Sequence, residues 1–394
     1  MAASVVTPLP GPRSDDAFTS FVRDLFAGLP RADQRRWAQV YLGGLLSTPG
    51  KKSIRHLAAA TGRPAAALSL QQFVNSSPWD WQPVRTALLR WAEQRTDAGA
   101  WTIGLTAVPK RGEHSAGVHR RFVPTLGRTI NCQAGLGAFL SGPGGHVPVD
   151  WRLLLPGRWS QDEELRSRAR IPADHRDRPL AAQVLGLVDS LAAASGAAPL
   201  PVVADMSHER DAGHLLRALA GRRYDFVVAV PPSLAMTPFL PGVPAPGGQP
   251  AAEEVLGAGR LLERFGSAGS ALHGSRDGLG RDVQVLTCLV RLPGFPPAGA
   301  VHRLFAPYDA ARRTVTRIWV TSLAHARMQR LLSLASLHDL SDTMDALADD
   351  FGLSDFEGRS YPGWHHHTTL ASAACAFSRL TGDRVRQGAC RAAA

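Results

Sequence analysis

The sequence predicts an α/β fold in which a helical N-terminal region precedes a mixed β-sheet. Three observations support this prediction. Residues 16 to about 96 carry apolar side chains at intervals of three and four, the spacing of amphipathic helices. From Ala100 onward, β-rich runs bounded by glycine and proline replace that pattern. Two later apolar runs flank a helical stretch, which is typical of a β–α–β crossover between parallel strands.

The helical region contains two short helices that resemble a helix-turn-helix DNA reader. They span residues 53–61 and 67–76, are joined by "GRPAA", and follow Lys51 and Lys52. The alternative is an ordinary helical bundle with a solvated basic edge. The other helix candidates are "AFTSFVRDLFAGL", "ADQRRWAQVYLGGLL" and "WQPVRTALLRWAEQR".

The strands of the predicted sheet begin with "WTIGLTAV", "RTINCQAGLGAFLS" and "HVPVDWRLLLP". Helices are expected near residues 161–167 and 179–194. In the crossover, "LPVVADM" and "YDFVVAVP" enclose the helix of "DAGHLLRALAGR". Strands return in "VQVLTCLVRL", "VHRLFAP" and "TVTRIWVTSL", and three C-terminal helices follow in "AHARMQRLLSLAS", "DLSDTMDALADDFG" and "WHHHTTLASAACAFSRL".

Composition shifts along the chain predict its domain organisation. A Gly-, Pro- and Ala-rich stretch begins at residue 232 and has the texture of an insertion. The predicted units are a loose tail (1–15), a helical N-terminal domain (16–97), the first part of the core (98–231), the insertion with its flanking β-rich segments (232–300), the end of the core with C-terminal helices (301–385) and a second tail (386–394).

The charge of the chain favours a polyanionic partner. The net charge is +11 and the pI is about 10.4, which indicates nucleic acid first and an acidic membrane surface second. The four cysteines form no CxxC pair, which argues against a zinc ribbon and a disulfide framework. No apolar run approaches the roughly 20 residues of a membrane span, and the N-terminus lacks the pattern of a signal peptide. We expect a cytoplasmic, nucleoid-associated protein.

Several segments, in order, resemble insertion-sequence transposases of the DDE type, in particular the actinobacterial kind. They are "YLGGLLS", "FVNSSPWDW", "VPKRGEHSAGVHRRF", "GRTINCQAGL", "VPVDWRLLLP", "PVVADM" and "FGLSDFEGRSYPGWHHHTTL". The match spans about residues 35–380. The resemblance implies an RNase H-like catalytic core, duplex DNA as partner and a homodimer.

The resemblance also implies a catalytic site of two Asp and one Glu. Such carboxylates hold two Mg²⁺ ions roughly 4 Å apart, and hard divalent ions require oxygen ligands. The family's first Asp falls on Gly104 or Leu105, within "IGLTAVPKRG", and its third acid falls on Ser341. Only the second carboxylate is retained, as Asp205. Asp205 could equally be a strand-end residue that caps the next helix.

We therefore predict a DDE homologue that binds duplex DNA, needs no cofactor and lacks strand-transfer activity. Two alternatives remain. Asp342 or Asp345 could act as substitute ligands in an active, Mg²⁺-dependent endonuclease, although Asp342 lies about 100° around the helix from Ser341 and Asp345 one turn further on. Alternatively, the fold could serve as a protein-interaction scaffold without DNA binding.

Basic side chains and a histidine triplet complete the set of candidate residues. Phosphate contacts need little more than well-placed positive charge. The predicted DNA contacts are Lys51, Lys52, Arg55, Lys110, Arg111, Arg120, Arg121 and Arg128. His365, His366 and His367 are consecutive and point about 100° apart on a helix, so they do not converge on one metal ion. We assign them to helix packing or DNA-backbone contact and predict no metal site.

Overall fold

The computed structural model describes residues 14–239, 254–266, 273–276, 282–294, 300–309 and 314–382. The two predicted tails lie outside these ranges except for residues 14 and 15, as does part of the predicted insertion.

Five helices form the N-terminal region, as the apolar spacing predicted. Two of them begin at side-chain caps, because the Ser53 hydroxyl accepts from the His56 amide and the Asp80 carboxylate accepts from the Gln82 amide. The helices pack around buried residues such as Tyr41 and Leu88. They are α1 (Ser14–Leu25), α2 (Ala32–Ser47), α3 (Ile54–Ala60), α4 (Ala67–Asn75) and α5 (Trp81–Glu93).

A 13-stranded mixed sheet forms the rest of the core. Its strands are β1 (Ala100–Pro109), β2 (Val118–Val123), β3 (Arg128–Gly142), β4 (Gly145–Leu153), β5 (Val202–Asp205), β6 (Phe226–Val230), β7 (Ala235–Pro238), β8 (Leu256–Gly257), β9 (His273–Arg276), β10 (Asp282–Arg291), β11 (His302–Asp309), β12 (Thr314–Val315) and β13 (Ile318–Thr321). The remaining helices are α6 (Arg158–Gln161), α7 (Glu163–Ala169), α8 (Leu180–Ala194), α9 (Ala212–Gly221), α10 (Ala258–Gly266), α11 (Met328–Ser336), α12 (Ser341–Asp349) and α13 (Tyr361–Thr381).

The central strands have the RNase H-like arrangement. β3 lies between β4 and β1 and is antiparallel to both. On the other side of β1, β5 and β6 follow in parallel, and α9 forms the crossover between them. The predicted β–α–β unit is therefore present, and the α/β fold class with an RNase H-like core is confirmed. β13 pairs with β6 and extends the sheet toward β11, β10 and β7, so described strands of the predicted insertion belong to the sheet.

The C-terminal helix α13 joins the helical region to the sheet. It packs on β4 and on α2, α4 and α5, and nearly all of its length is buried. His365, His366 and His367 are at most 3% exposed. The His366 ring lies between the carbonyl oxygens of Val74 and Trp79, and His367 lies between the Tyr41 hydroxyl and the Gly352 carbonyl. Of the two roles considered for the histidines, this burial agrees with helix packing and leaves no surface for contact with a DNA phosphate.

Candidate functional site

The sheet places Gly104 beside Asp205. In the parallel pairing of β1 and β5, Thr102 aligns with Val203 and Ile103 with Ala204, so the next residues along the two strands are Gly104 and Asp205. Neighbours in parallel strands project to the same face of a sheet. Two positions that the resemblance assigned to catalytic carboxylates therefore lie together, and one of them has no side chain. Leu105, the other residue named for the first position, alternates to the opposite face and is exposed.

The connection between α11 and α12 covers this pair. The Thr102 hydroxyl, two residues before Gly104 on the same face of β1, donates to the Leu337 carbonyl at 3.1 Å. A Cβ on Gly104 would overlap Cδ1 of Leu340. Leu340 is largely buried, so its side chain fills the space that a carboxylate at position 104 would need.

Ser341, the third predicted position, opens α12 directly after Leu340. Its hydroxyl donates to Oδ1 of Asp339 at 2.6 Å, and its backbone amide donates to the same oxygen at 3.1 Å. The hydrogen bond from the Ser341 hydroxyl is the main cause that holds the pKa of the Asp339 carboxyl below its usual range. Ser341 thus begins a helix and binds its own neighbour, and it supplies no negative oxygen to the site.

Both oxygens of Asp205 are engaged by the protein. Oδ1 accepts from the Ser207 amide at 2.9 Å, and Oδ2 forms an ion pair with Nη2 of Arg317 at 3.2 Å. Arg317 immediately precedes β13, two strands away from β5 in the sheet. The positive charge beside Asp205 is therefore a guanidinium of the chain itself.

Arg317 also contacts His338 in the connection that covers the site. The guanidinium donates to Nε2 of His338, whose Nδ1 donates to the Ala335 carbonyl at 2.7 Å. Burial, followed by the positive charge of Arg317, lowers the pKa of His338. A neutral imidazole with its proton on Nδ1 satisfies both hydrogen bonds. Arg317 thus links the Asp205 carboxylate to the His338 ring.

These donors do not fit a pair of Mg²⁺ ions. A two-metal site needs several anionic oxygens at close range, whereas this one offers a single carboxylate that already has a cationic partner. Asp342 and Asp345 lie exposed on α12. Within the described ranges, no group of three or more His, Cys, Asp or Glu side chains is arranged to hold a metal ion.

The basic residues predicted to contact DNA fall into two groups. Arg55, Arg111, Arg120 and Arg128 are exposed, as is Lys51, which forms an ion pair with Glu357 at 3.1 Å. The other three, Lys52, Lys110 and Arg121, form contacts within the protein.

Lys52 and Lys110 are both held by backbone carbonyls. Lys52 is 2% exposed, and its ammonium donates to the Thr48 carbonyl, so its assignment as a DNA contact is wrong. Lys110 donates to the Phe356 carbonyl at 2.8 Å, and burial lowers the pKa of its ammonium. Arg121 is partly buried and pairs with Glu209 at 3.3 Å. Lysine burial of this kind has no signal in the local sequence.

Comparison with known proteins places the chain in a family. The DDE superfamily endonuclease family matches residues 24–259, which is more than half of the chain. The chain is a member of the DDE superfamily endonucleases. The DDE match includes the Gly104 and Asp205 positions and ends before Ser341. The DDE family that the sequence motifs predicted is thereby confirmed.

Two further comparisons, with solved structures and with curated protein sequences, do not by themselves identify a family. The DDE protein resembles piggyBac transposase in the cryo-EM structure of its synaptic complex with hairpin DNA, with a TM-score of 0.44 and 12% sequence identity over 94% of this chain and 73% of that chain. No curated protein sequence matches. Among the helices that the structure describes, none is long and apolar enough to cross a membrane.

Proposed function

We propose that this DDE family member binds duplex DNA but does not catalyse metal-dependent strand transfer, and that it acts as a domesticated regulatory protein associated with the nucleoid. The observation that carries the proposal is the ion pair between Asp205 and Arg317 beside the glycine at position 104. In this position the carboxylate is neutralised by the protein rather than left available for a divalent cation.

The loss of chemistry follows from charge and space. Two Mg²⁺ ions bring four positive charges, and one carboxylate cannot balance them, particularly with a guanidinium 3.2 Å away. Leu340 contributes only apolar surface where the first carboxylate would lie. Restoring the site would require new acids at 104 and 341, and displacement of both Arg317 and Leu340.

Retained DNA binding is supported by the charge of the chain. The net charge is +11, and exposed arginines occur on α3 (Arg55) and around β2 and β3 (Arg111, Arg120 and Arg128). Backbone phosphates are bound by such side chains without any catalytic metal. The α3–α4 pair remains the candidate helix-turn-helix, with Lys51 and Arg55 on its exposed side.

The test is a salt titration of binding to a labelled duplex. We expect the triple variant Arg111→Ala/Arg120→Ala/Arg128→Ala to bind more weakly and to flatten the slope of log K against log salt by about 3, because each lost phosphate contact removes roughly 0.9 from that slope. A charge-matched control replaces the exposed Arg222, Arg327 and Arg330, on or next to α9 and α11.

The outcomes separate DNA binding from a scaffold role. Binding that weakens in the first variant and not in the control supports the proposal. No retardation of any duplex at low salt would contradict DNA binding and favour the protein-interaction scaffold. Sedimentation of the free and DNA-bound protein tests the homodimer that the family resemblance implies.

A further inference from the structure

A two-stranded ribbon projects beyond the C-terminal end of β1. β1 ends at Pro109, which pairs with Cys132 of β3. β2 continues to pair with β3 beyond that point, from Arg120 opposite Asn131 to Val123 opposite Arg128. Residues 120–131, here called the β2–β3 ribbon, therefore lack β1 as a neighbour. Gly127, with φ of +61°, completes the turn at the tip.

The tip of the ribbon exposes apolar side chains. Phe122 is 56% exposed and Leu126 is 51% exposed. In the part of the chain that the structure describes, only Leu68, Leu105 and Val255 are other large hydrophobic residues of this kind. Two of them within five positions at the end of one projection form a concentrated apolar contact surface.

Arginines flank this apolar tip on both faces of the ribbon. Arg120 shares a face with Phe122, because residues two apart on a strand project to the same side. Arg128 lies opposite Val123, on the other face. No Asp or Glu occurs in the sequence from residue 114 to residue 149. A partner that fits an apolar tip flanked by cations must offer a flat apolar surface with negative charges on either side. Nucleic acid has this arrangement, because its stacked bases lie between phosphates.

The ribbon and the candidate site both lie at the carboxyl ends of the central parallel strands. Arg121 forms an ion pair with Glu209, in the segment that follows Asp205, at 3.3 Å. At the base of the ribbon, the Asn131 amide donates to the carbonyls of Lys110 and Gly112. These contacts fix the ribbon beside the carboxyl ends of β1 and β5, where DNA bound over the site would meet it.

We propose that the β2–β3 ribbon is a nucleobase wedge: Phe122, supported by Leu126, stacks against an unstacked base of the DNA, while Arg120 and Arg128 contact the flanking phosphates. Apolar side chains that enter a base step unstack it, and aromatic rings accept any base because every base has a π-face. A duplex with a locally open base pair is the preferred ligand, because less stacking is lost there. This inference rests on the proposed DNA binding.

The test uses two duplexes that carry 2-aminopurine, one intact and one with the probe beside a single-nucleotide bulge. We expect the protein to change 2-aminopurine fluorescence in the bulged duplex and to prefer that duplex. Phe122→Ala should lower affinity for the bulged duplex roughly tenfold, within the range of base–aromatic stacking, and abolish the fluorescence change. Phe122→Trp should retain both. Val255→Ala, at an exposed apolar residue that precedes β8, is the matched control and should behave as the wild type.

The results distinguish the wedge from DNA binding itself. If Phe122→Ala binds both duplexes as the wild type does and gives the same fluorescence, the wedge is overturned while DNA binding stands. If the wild type binds neither duplex at low salt, both proposals fail. If Phe122→Ala changes only the sedimentation of the free protein, the tip is a self-association surface and the wedge is wrong. Thermal melting of each variant confirms that the exposed substitutions leave the fold intact.

Discussion

The side chain of Leu340 occupies the space that a side chain on Gly104 would need. Gly104 lies in the middle of β1 next to Asp205, and Leu340 directly precedes α12. The glycine and the leucine are therefore complementary: one has no side chain, and the other fills the space beside it. This packing ties the site to the connection between α11 and α12.

The first prediction concerns this packing. Gly104→Asp should destabilise the protein by about 1–3 kcal/mol, because overpacking of a filled site costs that much and the new carboxylate gains no partner. Leu340→Ala should cost about 2–3 kcal/mol through the cavity that it leaves. Together they should cost about 1 kcal/mol less than the sum, since each relieves the other. Urea unfolding of the four proteins measures this coupling.

The control for this cycle replaces Leu340→Ala with Leu334→Ala. Leu334 is buried on α11 in a separate apolar cluster, so its effect should add to that of Gly104→Asp within about 0.5 kcal/mol. Additivity for Leu340 as well would show that its side chain does not fill the position 104 space.

The second prediction concerns Arg317 and His338. Arg317→Gln should raise the pKa of His338, because the guanidinium charge disfavours the imidazolium. The rise should be partial, since burial is the larger cause of the lowered pKa and remains in place. An NMR titration of the His338 ring protons measures it. Arg330→Gln, an exposed arginine on α11, should leave that titration unchanged, and equal curves for Arg317→Gln and the wild type would contradict the contact.

The third prediction concerns acid stability through His367. Its ring suits the neutral form, with Nε2 donating to the Gly352 carbonyl and Nδ1 accepting from the Tyr41 hydroxyl. Burial, with a smaller contribution from the charge of Lys110, lowers its pKa to about 4, while the hydrogen bond with the Gly352 carbonyl and, more weakly, the charge of Asp355 act in the opposite sense. The unfolded chain, with a His pKa near 6.5, therefore binds more protons than the native protein between pH 6.5 and 4.

Stability should consequently fall as the pH decreases from about 6.5 toward 4, with His367 contributing roughly 3 kcal/mol over that interval. His367→Gln should lower stability at pH 7 but flatten this slope. Urea unfolding at intervals of pH measures both effects. His325→Gln, at an exposed histidine, should leave the slope as it is, and an unchanged slope in His367→Gln would show that His367 does not titrate differently on unfolding.

The fourth prediction concerns the buried ion pair of Arg85 with Asp150, which are 2.8 Å apart. Arg85 also donates to the Trp151 carbonyl and the Thr369 hydroxyl, and so links α5, β4 and α13. Arg85→Leu should cost about 3–5 kcal/mol because it leaves Asp150 buried without its cation. The double variant with Asp150→Leu should recover part of that loss. The exposed control Arg63→Leu should change stability by less than about 0.5 kcal/mol, and a similar result for Arg85→Leu would contradict the role of the pair.

The sequence predicted most of the helices and the central strands, but it did not predict β2, α10 or the contacts around Gly104 and Asp205. Apolar residues at 3–4 spacing identified the helices, and short apolar runs identified the strands around α9, because these patterns follow from the local geometry of each element. The family resemblance assigned two catalytic positions to Gly104 and Asp205, which the sheet places side by side. Arg317 and Leu340 could not be predicted, since they reach the site from other strands and connections.

Burial of polar residues was the other property that the sequence did not reveal. Lys52 follows an exposed lysine in a polar turn. Its backbone amide nevertheless donates to the carboxylate of Asp355, which lies 303 positions further along the chain. The three adjacent histidines of α13 were assigned to helix packing or DNA-backbone contact, and the structure buries all three. Their carbonyl and hydroxyl partners lie in other parts of the chain and depend on the tertiary packing.

The proposed absence of metal-dependent strand transfer can be measured with a DNA-cleavage assay in Mg²⁺ and in Mn²⁺, in which labelled duplex and supercoiled plasmid are the substrates and Asp205→Ala is the reference. We expect the wild-type protein to cleave neither substrate above the level of Asp205→Ala, with either metal. Metal-dependent cleavage by the wild type that disappears in Asp205→Ala would contradict this expectation, and would show that Asp205 binds a catalytic metal despite Arg317.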